Sequence, residues 1–105
     1  MADSFSYKIT TESENFSFDF TQVLTPAETI STATCTVILM NGTDASPSAI
    51  LSGTPTWATG SKVVSQRIYN GVSECTYRLV MTITTSIGNT YVGVGDLSVY
   101  DPSLV

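Results

Sequence analysis

The chain has no histidine, which removes catalytic triads with an imidazole base, zinc sites that need imidazole, and the usual proton shuttle near neutral pH. Cysteine is nearly absent as well. Cys35 and Cys75 are the whole set, too few for a structural zinc site, and neither has a cation beside it in sequence to activate its thiolate. Positive charge is scarce: Lys8, Lys62, Arg67 and Arg78 stand against nine acidic residues, for a net charge of −5. Four scattered cations form no basic run, so the expected partners include neither nucleic acid nor an anionic membrane surface. No apolar run approaches the roughly 20 residues of a membrane-spanning helix. The start MADSFSYKITTESEN lacks the basic-then-apolar order of a secretion signal. Repeated Asp-x-Asp spacing is missing too, so Glu12, Glu14, Asp19, Asp44, Asp96 and Asp101 read as solvated loop carboxylates and not as a calcium set or an acid/base pair. With no phosphate-binding loop opening a helix, the expectation is no catalytic residue, no cofactor and no metal.

What the sequence has in abundance is hydroxyl groups. Serine and threonine supply 31 of 105 residues while only 12% are charged, and 42% are hydrophobic. That balance argues for a folded domain with a real core and outward faces of neutral hydroxyls, which are easily desolvated against a partner. The hydrophobic period is two almost throughout. Phe16-Ser17-Phe18-Asp19-Phe20 alternates strictly, and in TISTATCTVILM (residues 29–40) Ala33, Cys35, Val37 and Leu39 share a face. Further strands are expected near Ala49 to Leu51 (weak), at Lys62 to Tyr69, at Cys75 to Thr85 and at Thr90 to Tyr100. Asn41-Gly42, Asn70-Gly71 and Gly88-Asn89 are turn pairs that tolerate positive φ, the last of them reading as a tight hairpin. Thr25-Pro26-Ala27-Glu28 has the form of a helix capping box, but the β-branched strand after it leaves room for one turn at most.

Strands at this spacing without a helical period predict an all-β fold, an immunoglobulin-like two-sheet sandwich of about seven antiparallel strands. Residues 16–105 form that domain. Residues 1–15 are set apart, because Phe5-Ser6-Tyr7-Lys8-Ile9 is apolar at alternate positions and is either a first strand or an arm for a neighbouring subunit's sheet edge. In Gly71-Val72-Ser73-Glu74-Cys75-Thr76-Tyr77-Arg78-Leu79, Tyr77 matches the tyrosine corner of such folds, whose hydroxyl returns to backbone a few residues upstream. The two cysteines are expected on strands of opposite sheets, as buried free thiols in preference to a bridge. Trp57, between turn residues, is either a core ring or an exposed anchor. Phe5, Tyr7, Trp57 and Tyr91 are the candidate interface residues.

Three segments carry a narrower resemblance: FSFDFTQVLTPAETISTATCTV, GTDASPSAILSGTP and VVSQRIYNGVSECTYRLVMTITTSIGNTYVGVGDLSV. From Phe16 to Val99 they resemble small virion proteins of tailed bacteriophages, the fibre-tail adaptor-like family. This sequence departs from that pattern at Cys35, where an aromatic is common, and at the uncharged Tyr91-Val92-Gly93-Val94-Gly95, where arginines are usual. The resemblance implies a virion protein made in the bacterial host cytoplasm, present in several copies as a homo-oligomer, that bridges the tail or connector and the fibres through protein contacts. Two rival expectations are a capsid decoration protein and a carbohydrate-binding or adhesion module, the latter using Trp57 with Tyr69 or Tyr91 as a stacking platform.

Overall fold

The computed structural model describes residues 2–4 and 7–104. The strands run in the order β1 (Ala2–Ser4), β2 (Lys8–Ile9), β3 (Glu14–Asp19), β4 (Ile30–Asn41), β5 (Leu51–Thr56), β6 (Val63–Ile68), β7 (Cys75–Thr85) and β8 (Thr90–Tyr100), with short 3-10 turns at Pro47–Ile50 and Pro102–Leu104. One sheet has the order β1-β8-β7-β4 with β2 also on β8, and the other has the order β3-β6-β5. Both sheets follow immunoglobulin connectivity, with β4, β7 and β8 as strands C, F and G and β3, β6 and β5 as B, E and D. The body measures 47 × 21 × 21 Å. No helix among the described residues is long and apolar enough to cross a membrane.

Alternation decides the core. Phe16 and Phe18 of β3, with Phe20 just beyond it, point inward against Val64 and Ile68 of β6 and against Tyr77, Leu79, Met81 and Ile83 of β7. Each such large apolar side chain taken out of water contributes about 1.5–3 kcal/mol. β8 adds Leu97 and Val99, and β4 adds Cys35, with Ala33, Val37 and Leu39 half-buried beside it. The outward positions are where the hydroxyls go, and several pair across strands: Ser17 with Ser65 at 2.8 Å, Thr76 with Ser98 at 3.3 Å, and Thr32 with Thr84. Part of the hydroxyl surface therefore ties neighbouring strands together.

Several local expectations change. The weak strand near Ala49 to Leu51 is instead a 3-10 turn begun by Pro47, and the strand follows as Leu51–Thr56. Pro55 is tolerated there because β5 is an edge strand whose register slips between Ser52 and Thr56. The slip is bridged by buried Gln66, whose Nε2 donates to Gly53 O at 3.2 Å. The β7–β8 hairpin expected at Gly88-Asn89 is present, its turn spanning residues 86–89 with Gly88 at φ 87°. Cys35 and Cys75 lie on adjacent strands of one sheet, opposite Met81 and Val99 respectively, and not in opposite sheets. Antibody-type bridges join strands B and F, whereas Cys35 sits on strand C. Both are buried free thiols, and burial pushes the Cys35 thiol up to about 11.

The N-terminal segment pairs in parallel with β8: Ala2 to Ser4 lie opposite Val94 to Asp96, and Lys8 and Ile9 lie opposite Val99 and Tyr100. Its facing is the reverse of the apolar alternation. Lys8 is fully buried while Tyr7 is exposed, because the Lys8 ammonium reaches three carbonyls, Asn70 O at 2.5 Å, Ile9 O at 2.8 Å and Thr10 O at 3.3 Å.

Candidate docking surfaces

Two apolar surfaces lie at opposite ends of β8. The first is built by the β3–β4 connection and the start of β8. Phe20 and Leu24 turn inward, and their chain is held by Glu28, which is fully buried. The Glu28 carboxylate accepts from Thr85 Oγ1 at 2.6 Å, from Asn89 Nδ2 at 3.0 Å and from Thr25 N–H at 3.1 Å. The last bond is the backward reach of a capping box, made here without a helix. The Thr85 hydroxyl leads in holding the Glu28 carboxyl below its ordinary value, with Thr25 N–H, Asn89 and the charge of Lys62 helping against the opposing cost of burial. Lys62 itself donates to Thr25 O at 2.9 Å. The loop is thus tied to both β7 and the β7–β8 turn.

Beside this tie lies a groove of about 470 Å3 lined by Asp19, Phe20, Gln22, Val23, Tyr91, Val92 and Gly93. Gly93 leaves room at its floor, since a Cβ there would crowd the phenylalanines, 3.1 Å from Phe20 Cζ and 3.2 Å from Phe18 Cδ2. Val23 and Val92 at the rim are 48% and 56% exposed, large values for apolar side chains that share one concavity. Asp19 supplies the polar edge, its Oδ1 accepting from Thr21 N–H at 2.9 Å and Thr21 Oγ1 at 2.5 Å. Thr21 holds the Asp19 carboxyl below its usual range.

The second surface is at the other end. Tyr7 is exposed and meets Tyr100 edge-to-face, with ring centroids 5.9 Å apart at 70°. The Lys8 carbonyl cage underneath fixes β2 against the β6–β7 connection, and Thr10 N–H continues to Tyr100 O at 2.9 Å. Burial pulls the Lys8 ammonium below its usual value, against the raising influence of Glu12 and Glu14. Nearby, the fully buried Tyr77 accepts from Val72 N–H at 2.9 Å, five residues upstream, and donates to Asp44 Oδ2 at 2.7 Å. Asp44 in turn accepts from Ser46 N–H at 2.9 Å. One hydroxyl joins the β6–β7 and β4–β5 connections.

Of the candidate interface residues, Phe5 lies outside the described residues. Tyr7 belongs to the terminal end and Tyr91 to the groove wall, half-buried against the core. Trp57 is also half-buried on the core. It does not meet Tyr69 in a platform: Trp57 follows Thr56, which pairs with Ser65, while Tyr69 lies past Ile68 and bonds Ile50 O. The acidic residues stay apart in local roles, Asp96 on Arg78 at 2.7 and 3.0 Å, Asp101 on Ser103 and Glu12 on Ile9 N–H. Among the described residues no group of His, Cys, Asp and Glu side chains is placed to hold a metal ion. Sequence reasoning missed Lys8, Glu28, Asn89 and the groove. For Glu28 the capping-box spacing was the available signal, and for Lys8 no pattern marked it.

No curated protein matches the chain by sequence. Among solved structures, the 2,6-sialyltransferase of Vibrionaceae Photobacterium sp. JT-ISH-224, in a ternary complex with CMP and lactose, aligns with 97% of this chain at 11% identity and a TM-score of 0.45, and this chain spans 18% of that one. That likeness is too loose to support any inference. A family model does match, over residues 8–94, that of the podophage GP4 fiber-tail adaptor protein gp77, and the chain therefore belongs to this fibre-tail adaptor family of phage virion proteins.

Proposed function

We propose that this protein bridges two components of a phage tail by protein contacts alone, several copies acting together in the particle, with the tail or connector at one end of the sandwich and a fibre subunit at the other. The observation that carries the reading is the pairing of family membership over residues 8–94 with two separate apolar surfaces on a 47 Å body. Val92 and Tyr100 stand eight residues apart on one strand, which is about 26 Å. A rigid strand of that length transmits position from one contact to the other without a hinge. Aromatic and aliphatic anchors in a groove, rimmed by polar groups, are the usual centre of a protein interface. The reading contains no chemical step, in keeping with a chain that lacks histidine.

The test uses phage particles lacking the protein, to which purified variants are added. Val23→Asp with Val92→Asp, at the groove, is expected to abolish one attachment, and Tyr7→Asp the other: one variant fails to join the tail, and the other joins but recruits no fibres. Full fibre occupancy and infectivity with both variants would overturn the reading.

A further inference from the structure

β8 already receives extended segments along its outer edge in two places, β1 opposite Val94 to Asp96 and β2 opposite Val99 and Tyr100. Upstream of Val94 that edge is open: among the described residues, only β7, on the other side, pairs with residues 90–93. The register identifies the open backbone groups. Asn89 O and Val99 O accept from Thr85 N–H and Glu74 N–H on the β7 side, whereas Tyr100 O accepts from Thr10 N–H on the outer side. The β7–β8 ladder is unbroken, so alternation turns the N–H and C=O of Thr90 and Val92 outward as well. This stretch of backbone runs along the groove, which Tyr91, Val92 and Gly93 line together with Phe20 and Val23 of the β3–β4 connection. Asp19 is the one charged side chain among the described lining residues. Thr21 takes up its Oδ1, and its Oδ2 accepts from no group among the described residues.

We infer that the component docked at the groove end contributes an extended segment that pairs with β8 at Thr90 and Val92, inserts an apolar side chain over Phe20 and Tyr91, and sets a Lys or Arg on Asp19 Oδ2. Strand addition draws affinity from main-chain bonds and specificity from pockets for alternate side chains. Side chains of an added strand alternate between the two faces of the sheet, and those on the inner face, the side of Tyr91, enter the groove. Charge selects the occupant. On a chain carrying −5, a free carboxylate oxygen at the lip of an apolar groove is complemented by a cation. A second copy of this chain has no such segment to offer, because its four cations are all placed elsewhere. Lys8 is buried in its carbonyl cage, Lys62 donates to Thr25 O, Arg78 is paired with Asp96, and Arg67 lies on β6 between β3 and β5. The occupant is therefore a basic, partly apolar segment of a different virion protein. The inference deepens the bridging reading and rests on it.

The test uses the full chain and phage particles lacking it, and reads the attachment that Val23→Asp with Val92→Asp abolishes. Val92→Pro removes the outward N–H, keeps an apolar side chain and leaves the β7 ladder intact, as proline does at a free edge. Asp19→Asn removes the charge and keeps the shape. Each is expected to weaken attachment by about fivefold or more with unchanged circular dichroism, and Asp19→Asn also to flatten its salt dependence. Val92→Leu, which keeps the N–H, is expected to attach normally. Amide exchange on the unaltered protein gives a reading free of misfolding: the Val92 amide slows on assembly, while the Gly93 amide, directed at β7, changes little. Normal attachment of either Val92→Pro or Asp19→Asn, or a Val92 amide that exchanges as fast in the particle as in the free chain, would overturn the inference. In that event the bridging reading stands if Val23→Asp with Val92→Asp still blocks attachment, and falls as well if that variant attaches normally.

Discussion

Removing one oxygen atom, in Tyr77→Phe, tests whether the loops at the terminal end are held by the arrangement described. The ring is fully buried, so the substitution leaves apolar packing in place and deletes only the hydroxyl. Two bonds are lost together, the Val72 N–H donation at 2.9 Å and the donation to Asp44 Oδ2 at 2.7 Å. A net neutral hydrogen bond is worth about 1 kcal/mol, and one to a charged group about 1.5–3 kcal/mol. Asp44 regains water more readily than Val72 N–H, so the combined cost is set at roughly 2 kcal/mol. For a domain of this size that corresponds to a fall in Tm of roughly 10 °C. Urea unfolding followed by circular dichroism measures it, with an unchanged slope in denaturant showing that the unfolded reference has not moved. Asp44→Ala in the same assay, combined with Tyr77→Phe, should show coupling above about 0.5 kcal/mol because both changes break one bond. A Tyr77→Phe protein within about 0.5 kcal/mol of the original would refute the reasoning, since the hydroxyl would then hold neither loop.

Acid should loosen the groove end. Glu28 is held below its ordinary value chiefly by Thr85, so its stabilising contribution is complete above the unfolded carboxylate pKa of about 4.3 and is lost as pH falls through the lower folded value; stability measured from pH 6 down to pH 2 should drop less steeply in Glu28→Gln. Some slope should remain, from Asp19 bonded to Thr21 and Asp96 beside Arg78, which are depressed in the same direction. Lys8→Met should release β2, seen as exchange of the Ile9 and Thr10 amides accelerated by about tenfold or more while β7 amides are unchanged. Gly42→Ala should cost about 2–4 kcal/mol, because φ is +90° and the new Cβ would stand 2.5 Å from Cys75 Sγ and 3.0 Å from Glu74 O. Gly88→Ala, at φ +87° with open space around it, should cost only about 1–2 kcal/mol, and thermal melts compare the two.

The sandwich was legible because its longest strands alternate without interruption. Phe16, Phe18 and Phe20, and the inward series from Cys75 to Ile83, can face only one way once the chain is extended. Legibility failed where a strand's place depends on something outside its own pattern. β5 needs a 3-10 turn to end before it begins and a glutamine from β6 to bridge its slip. The parallel pairing of β1 and β2 with β8 is a contact between opposite ends of the sequence, and no local spacing encodes it. Lys8 broke the expected alternation because an ammonium inside a cage of three carbonyls is satisfied where an isolated buried charge would not be. The same limit applies to the docking surfaces. Tyr7 and Tyr91 were identifiable as aromatics on or near edges, but the groove arises only when residues from the β3–β4 connection meet residues of β8.

Electron cryo-microscopy of the intact phage tail is the most direct measurement of the bridging claim. The account predicts sandwich-shaped density between two different proteins, with the Val23–Val92 groove filled by a side chain of one and the Tyr7–Tyr100 pair covered by the other. Density for this chain on the capsid shell, or with either of those ends bathed in solvent, would contradict it.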